Sequence, residues 1–164
     1  ATRIMAADEA GAVPLSARLA AAVRAQAAGY KIGLHFDPLV AHDGWEEGYR
    51  ETIAAIFARI DPRRVAWVSL GSLRLTPGLQ SAIQQRPQHS RVLDAELVPG
   101  PDGKVRVWRG MRVKMYRRLL QWLRAVDGNL PLYICMEPAG VWEKVFGETP
   151  TDREVAQRLV AAHT

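Results

Sequence analysis

Apolar residues recur along this chain with two alternating periods, and the alternation defines its elements. Leu15, Leu19 and Val23 stand four apart between Pro14 and Gly29, the spacing of one helix face, and a glycine past the last periodic position suits a left-handed helix end. Tyr30 to Phe36 reads as a short buried strand stopped by Pro38. Trp45, Tyr49, Ile53, Phe57 and Ile60 form a helical stripe, with Glu46 and Glu47 in the first turn, where the helix dipole favours negative charge, and Asp61-Pro62 at its end. Val65 to Leu70 is a second buried strand, followed by Gly71-Ser72. Thr76-Pro77 combines an N-cap hydroxyl with proline at the first helical position, and Leu79 and Ile83 are the core face of the helix it starts.

The second half of the chain repeats the alternation around one interruption. Arg91 to Val98, the turn-rich Pro-Gly-Pro-Asp-Gly, and Lys104 to Trp108 read as a β-hairpin. A helix from about Met111 to Val126 follows, with Met115, Leu119 and Leu123 inward and Asp127-Gly128-Asn129 at its end. Leu132 to Met136 is another buried strand, and Val141 to Phe146 a short helix. Thr151 and Glu154 form a capping box for a terminal helix reaching about Ala162. Strands alternating with helices favour parallel pairing through right-handed crossovers. The pattern opens on a helix with no strand before it, and so few central strands cannot close a barrel. The fold class expected is therefore α/β: the second half of a partial (β/α) barrel, cut just after an earlier strand, with an inserted β-hairpin.

Composition narrows the picture. Of 164 residues 48% are hydrophobic, enough for a core, yet no apolar run approaches the ~20 residues of a membrane span. No secretory leader is visible, so no membrane partner and a cytoplasmic setting are expected. A single cysteine, Cys135, excludes an internal disulfide framework and any cysteine-rich metal site made by this chain alone. Twenty-two basic residues against 17 acidic ones give a net charge of +5. The excess is concentrated between Lys104 and Arg124, where Arg106, Arg109, Arg112, Lys114, Arg117 and Arg118 lie with no acidic residue among them. Such a block reads either as a phosphate-contacting face or as a solvated helix face with a charge-protected hairpin edge.

The chemistry-bearing residues gather at predicted strand ends, where parallel α/β folds bind ligands. In "GLHFDPLVAHDGWEEGYRE" His35 and Asp37 alternate along a strand and so share a face, and His42 and Asp43 follow in the loop. Ser69, Gly71 and Ser72 end the second strand, and Cys135, Met136 and Glu137 the last. One reading is a metal-dependent hydrolase using His35, Asp37 and His42, although the spacing matches no tight metal signature. Another is an interior His35 bonded to Asp37 or to a backbone carbonyl. Asp43 is the expected N-cap ahead of Trp45. Trp45, Trp67, Trp122 and Trp142 are expected in the core, and Cys135 as an inert buried thiol.

Four stretches, "AAGYKIGLHFDPLVAHDGWEEGYRE", "IDPRRVAWVSLGSLR", "ELVPGPDGKVRVWRGMRVKMYRRLLQWLR" and "PLYICMEPAGVWEKVFG", resemble the C-terminal half of the spore photoproduct lyase family, over roughly residues 8–147. That family belongs to the radical S-adenosylmethionine enzymes. The resemblance implies a partial α/β barrel and, in the intact parent, a 4Fe–4S cluster on a Cys-x3-Cys-x2-Cys motif. The cluster reductively cleaves S-adenosylmethionine, and the resulting radical returns a crosslinked thymine dimer in DNA to two thymines. It implies that His35 and Asp37 line the adenosine pocket with Ser69 at the next strand end, and that Lys104, Arg106, Arg109, Arg112 and Lys114 meet DNA phosphates.

It further implies that residues 1–147 are the second half of the barrel and 148–164 a terminal helix, the partners being DNA and the missing N-terminal half of the same protein. The departures are specific. The cysteine motif is absent, the family's hydrogen-donor cysteine belongs to the absent half, and Cys135 is not its equivalent. Trp108-Arg109-Gly110-Met111 lacks the Arg-Tyr pair of the sporulation enzyme, and Asp37 stands where that enzyme has alanine. The chain alone therefore cannot hold the cluster, and the rival reading is a stand-alone nucleic-acid-binding module.

Overall fold

The computed structural model describes residues 12–86, 90–100 and 102–161. Helix α1 (Leu15–Ala27) leads into strand β1 (Ile32–Leu39), helix α2 (Trp45–Phe57) and strand β2 (Val65–Ser72). A short strand β3 (Arg74–Leu75) precedes helix α3 (Pro77–Gln84), and β4 (Leu97–Pro99) precedes β5 (Val105–Val107). Helix α4 (Arg109–Val126), strand β6 (Leu132–Ile134) and helices α5 (Ala139–Phe146) and α6 (Asp152–Ala161) complete the order. The principal sheet is parallel, ordered β1-β2-β6, and a second sheet is ordered β3-β5-β4 with antiparallel pairs. The chain is thus a mixed α/β fold with a parallel sheet, and among the described residues no helix is long and apolar enough to cross a membrane.

Register decides which side chains share a face. Leu34, Phe36, Val68, Leu70, Leu132 and Ile134 are partners across the parallel sheet and point to one side. They join one apolar cluster with Ile53 and Ile56 of α2, Met115, Leu119 and Leu123 of α4, and Val141 of α5. The intervening positions, His35, Ser69 and Tyr133, register with one another and point to the opposite side. Gly33, Asp37, Trp67, Gly71 and Cys135 fall on that second side by the period-two alternation of a strand. Gln26 ties α1 to this frame: its amide donates to the carbonyls of Asp61 and Arg64 and accepts from the Asp61 N–H.

Several local expectations hold for the physical reason given. Gly29 has φ +100° after α1, Thr76 accepts from the Leu79 N–H, and the Thr151 and Glu154 capping bonds are reciprocal. Others differ. Pro38 does not stop β1, which runs through it to Leu39 behind a cis Asp37–Pro38 peptide and a register shift. β1 lies at the sheet edge, so proline's missing N–H costs no ladder bond on its open side. Arg91–Leu93 is a short 3-10 turn, not a strand arm, because Ser90 takes the N–H groups of Val92 and Leu93. Asp43 does not cap α2: Gly44 holds that position, with no side-chain cap bond. Leu79 is 47% exposed rather than core, and Trp67 and Trp122 are half-buried while Trp45 and Trp142 are buried.

Candidate functional site

The C-terminal ends of β1, β2 and β6 are joined by two polar layers, one on each side of the parallel sheet. On the polar side, Arg74 donates to both Asp37 carboxylate oxygens at 3.0 and 3.2 Å and to the Cys135 carbonyl at 3.2 Å. One guanidinium thereby links the ends of β1 and β6 from a position just after β2. The pair is partly sheltered, with side chains 14% and 27% exposed. Gly71 is needed beneath it, because a Cβ there would lie 2.5 Å from the Asp37 carboxylate carbon. Burial pushes the Cys135 thiol above the ordinary range, an effect Arg74 partly offsets.

On the helix side, the Glu137 carboxylate is fully enclosed. One oxygen accepts from the Ser72 hydroxyl at 2.9 Å and the Tyr116 hydroxyl at 2.8 Å. The carboxylate also pairs with Arg112 Nε at 3.1 Å. The Tyr116 oxygen accepts the Ser72 backbone N–H at 2.8 Å, and Arg112 donates a second bond to the Val107 carbonyl of β5. Burial, then the adjacent Glu137 charge, pushes the Tyr116 hydroxyl far above its usual range, so it stays protonated and can donate. Strict alternation after Ile134 would turn Glu137 toward the polar side. Met136, at φ +54°, breaks the alternation and sends Glu137 back among the helix-side groups.

A cleft of about 480 Å³ runs along β1. Leu19 of α1, Ile56 of α2 and Ile83 of α3 line it, together with Phe36, His35 and Asp37. Successive residues of β1 therefore border one cleft along the strand, whose other edge pairs with β2. His35 stands exposed above it, its ring edge-on to Trp67 at 6.5 Å.

The sequence-predicted residues separate into those brought together here and those that are not. His35 and Asp37 do share the exposed side of β1, but Asp37 bonds Arg74, and His35 has its ring contact with Trp67 in place of the expected bond to Asp37. Ser69 is on the same side but 1% exposed, closed off beneath its neighbours. His42 donates from Nδ1 to the Asp43 carbonyl at 2.7 Å and does not converge on the other two. No group of three or more His, Cys, Asp or Glu side chains among the described residues could hold a metal ion, so the hydrolase reading loses its site.

Most cations of the basic strip have partners within the chain. Arg112 is 6% exposed and committed to Glu137, and it cannot reach a phosphate without leaving that carboxylate unpaired. Arg106 forks onto Asp102, whose carboxyl it holds well below the usual carboxylate range. Lys114 and Arg118 face Glu46 of α2, with Lys114 also over the Trp45 ring. Arg124 bonds the carbonyls of Gly128 and Leu130. Lys104 is half-buried, and Arg109 is exposed in the first turn of α4, where the dipole disfavours a cation. Sequence reasoning missed Arg74 and Tyr116, and it placed Glu137 at a strand end without its partners. The signal available was an Arg112/Tyr116 pair one helical turn apart, polar groups on an otherwise apolar face.

Comparison with known proteins bears on this arrangement. The family model described as Spore photoproduct lyase matches residues 1–96. The chain is 35% identical over 91 residues to the spore photoproduct lyase of Bacillus subtilis (strain 168), covering 54% of this chain and 27% of that protein. Among solved structures, a cysteine-to-alanine mutant of spore photoproduct lyase superposes with a TM-score of 0.68 at 26% identity, over 80% of this chain and 41% of that one. A doubly substituted spore photoproduct lyase with bound AdoMet and dinucleoside spore photoproduct gives 0.63 at 25% identity, over 76% and 39%. The chain thus spans about a quarter of the curated relative's length and about two fifths of the solved chains.

Proposed function

The chain belongs to the spore photoproduct lyase family, and from that premise we propose that it supplies the second half of a partial (β/α) barrel in a radical S-adenosylmethionine lyase that repairs DNA. In this reading residues 1–147 form the half-barrel and 148–164 its terminal helix. The substrate is DNA carrying a thymine photoproduct or a related lesion. The observation that carries the reading is the open edge of β1. A parallel sheet is normally covered on both faces and flanked by further βα units. Here the first strand pairs on one side only among the described residues, and its successive residues border an apolar-lined cleft. A preceding strand, with α1 as its crossover helix, would fill that space and satisfy the unpaired backbone groups.

The residues present suit one implied group and not the other. A nucleoside such as the adenosine of S-adenosylmethionine needs flat contact surface and a few convergent polar atoms. The exposed His35 ring beside Trp67, and the outer part of the Asp37 carboxylate steadied by Arg74, offer both. S-adenosylmethionine, when bound, would supply the hydrogen-abstracting radical; the part of these side chains is to orient the nucleoside. Ser69 would act through packing below them. A 4Fe–4S cluster needs about three or four thiolates. The chain has one cysteine, half-buried with its thiol pushed up, so the cluster must be held by the other half of the parent. Lys104 and Arg109 are the cations of the basic block best placed for DNA phosphate.

Two measurements test this reading. The coding sequence upstream of Ala1 should contain Cys-x3-Cys-x2-Cys; an upstream region without it removes the radical chemistry. The full translation product should bind dinucleoside spore photoproduct and S-adenosylmethionine in equilibrium titrations. His35→Ala should weaken the second ligand without weakening the first. Equal affinity for S-adenosylmethionine in wild type, His35→Ala and Asp37→Ala would remove the pocket from this face.

A further inference from the structure

Met136 is, among the described residues, the one non-glycine with a positive φ, at +54°; the others are Gly29, Gly44, Gly103 and Gly147. An L residue in that region is strained by its own Cβ, and the strain persists only where the surroundings over-determine the backbone. They do so here on both flanks. The Cys135 N–H is held by the Leu70 carbonyl at 2.8 Å and the Cys135 carbonyl by Arg74. On the other flank the enclosed Glu137 carboxylate is bolted to Ser72, Tyr116 and Arg112. The consequence is a methionine side chain thrown outward, 59% exposed, at the C-terminal end of β6 beside the Asp37–Arg74 clasp. A glycine would make the same bend without strain and without presenting apolar surface to water. Inside the chain the methionine side chain gains little in return, because more than half of the residue's surface is open to solvent.

We propose that Met136 is a substrate-contacting residue, its thioether chain packing against a pyrimidine base of the bound dinucleoside lesion. This rests on the DNA-repair reading above and adds the residue that meets the substrate from β6. The chemistry suits the position. A methionine side chain is long, unbranched and polarizable, and it adapts to the flat face of an aromatic ring from a backbone that is itself fixed. The rigid bend sets where the contact falls, and the flexible chain absorbs differences between a base and its saturated, crosslinked form. Arg74, Ser72, Tyr116 and Glu137 are positioning residues in this scheme, since they reach the substrate only through the loop they hold.

The test uses the full translation product containing this chain and reads methionine oxidation by dilute peroxide, site by site, with mass spectrometry. Dinucleoside spore photoproduct should slow oxidation of Met136 severalfold, while Met115, 1% exposed in the core, stays unreactive with or without it. Met136→Gly should weaken dinucleoside binding roughly fivefold, the range of a sulfur–ring contact, with a thermal midpoint no lower than wild type. Met136→Leu should recover most of that affinity. Binding that leaves Met136 unprotected and is indifferent to Met136→Gly overturns the assignment and leaves the repair reading standing. A wild-type protein that does not bind the dinucleoside overturns both. Should Met136→Gly fail to fold, protection in the wild type and the affinity of Met136→Leu decide the matter.

Discussion

Replacing Glu137 by glutamine tests whether the helix-side polar layer holds the strand ends together. The substitution keeps the shape of the side chain and removes its charge. Arg112 is then a buried guanidinium, 6% exposed, with no counter-charge and only the Val107 carbonyl as a confirmed acceptor. The glutamine amide also turns a donor toward donors. Its one oxygen can serve the Ser72 and Tyr116 hydroxyls or Arg112 Nε, but its NH2 must face whichever remains. Removing one member of a buried ion pair costs about 3–5 kcal/mol. At a urea m-value of about 2 kcal/mol/M the midpoint should fall by roughly 1.5–2.5 M with m unchanged. The thermal midpoint should fall by roughly 10 °C for a chain of this size. Glu47→Gln, at the exposed Arg50 pair, is the control and should leave both midpoints in place. The decisive result is the Arg112→Met/Glu137→Leu double variant, which should recover much of the loss because no lone charge remains buried. A Glu137→Gln cost below about 1 kcal/mol would mean that water reaches the pair, and the description of an enclosed network would be wrong.

Three further outcomes follow from the same contacts. Gly71→Ala should destabilise the fold by about 1–3 kcal/mol by driving a methyl into the Asp37 carboxylate, and the cost should shrink in an Asp37→Ala background; additive costs in chemical denaturation would show that the two do not touch. Asp102→Asn should free Arg106 and steepen the fall of DNA affinity with salt, by about one in the log–log slope; an unchanged slope in the full translation product would mean that the hairpin does not face phosphate. Cys135 should alkylate slowly at neutral pH, since burial raises its pKa and only the thiolate reacts. Its rate should climb only above the pH range of an ordinary thiol, and Arg74→Gln, which removes the favourable charge, should move that climb to still higher pH; a profile centred at or below the ordinary thiol range refutes the placement.

Much of the fold was legible because the relevant physics is local. Most period-four apolar stripes, the Gly29 and Thr76 caps and the reciprocal Thr151/Glu154 bonds involve groups within a turn or two of each other; the caps and bonds are present where the pattern puts them, while Val23 and Leu79 of the stripes stand exposed. The Met115, Leu119 and Leu123 face of α4 was readable for the same reason. That His35 and Asp37 share a side of one strand also follows from period two alone. Pro38 misled because its effect depends on whether the strand has a neighbour on its N–H side, and edge position is a property of the sheet.

The charges around the site were decided by tertiary structure. The run from Lys104 to Arg124 is basic by count, yet Arg106 meets Asp102 across a tight turn, Lys114 and Arg118 meet Glu46, and Arg112 meets Glu137 twenty-five residues away. Pairing of that kind is invisible to a sum of charges, since attraction between ions depends on their separation and on how much water lies between them. Arg74 reaches Asp37, thirty-seven residues earlier, and the Cys135 carbonyl, sixty-one residues later, because parallel strands bring their C-terminal ends side by side. The sequence by itself determined most of the helices and the three parallel strands, and which residue types stand at the strand ends. Only the folded chain determined which of those groups face the cleft and which neutralise each other in the interior, because that is set by distances between segments that local periodicity does not encode.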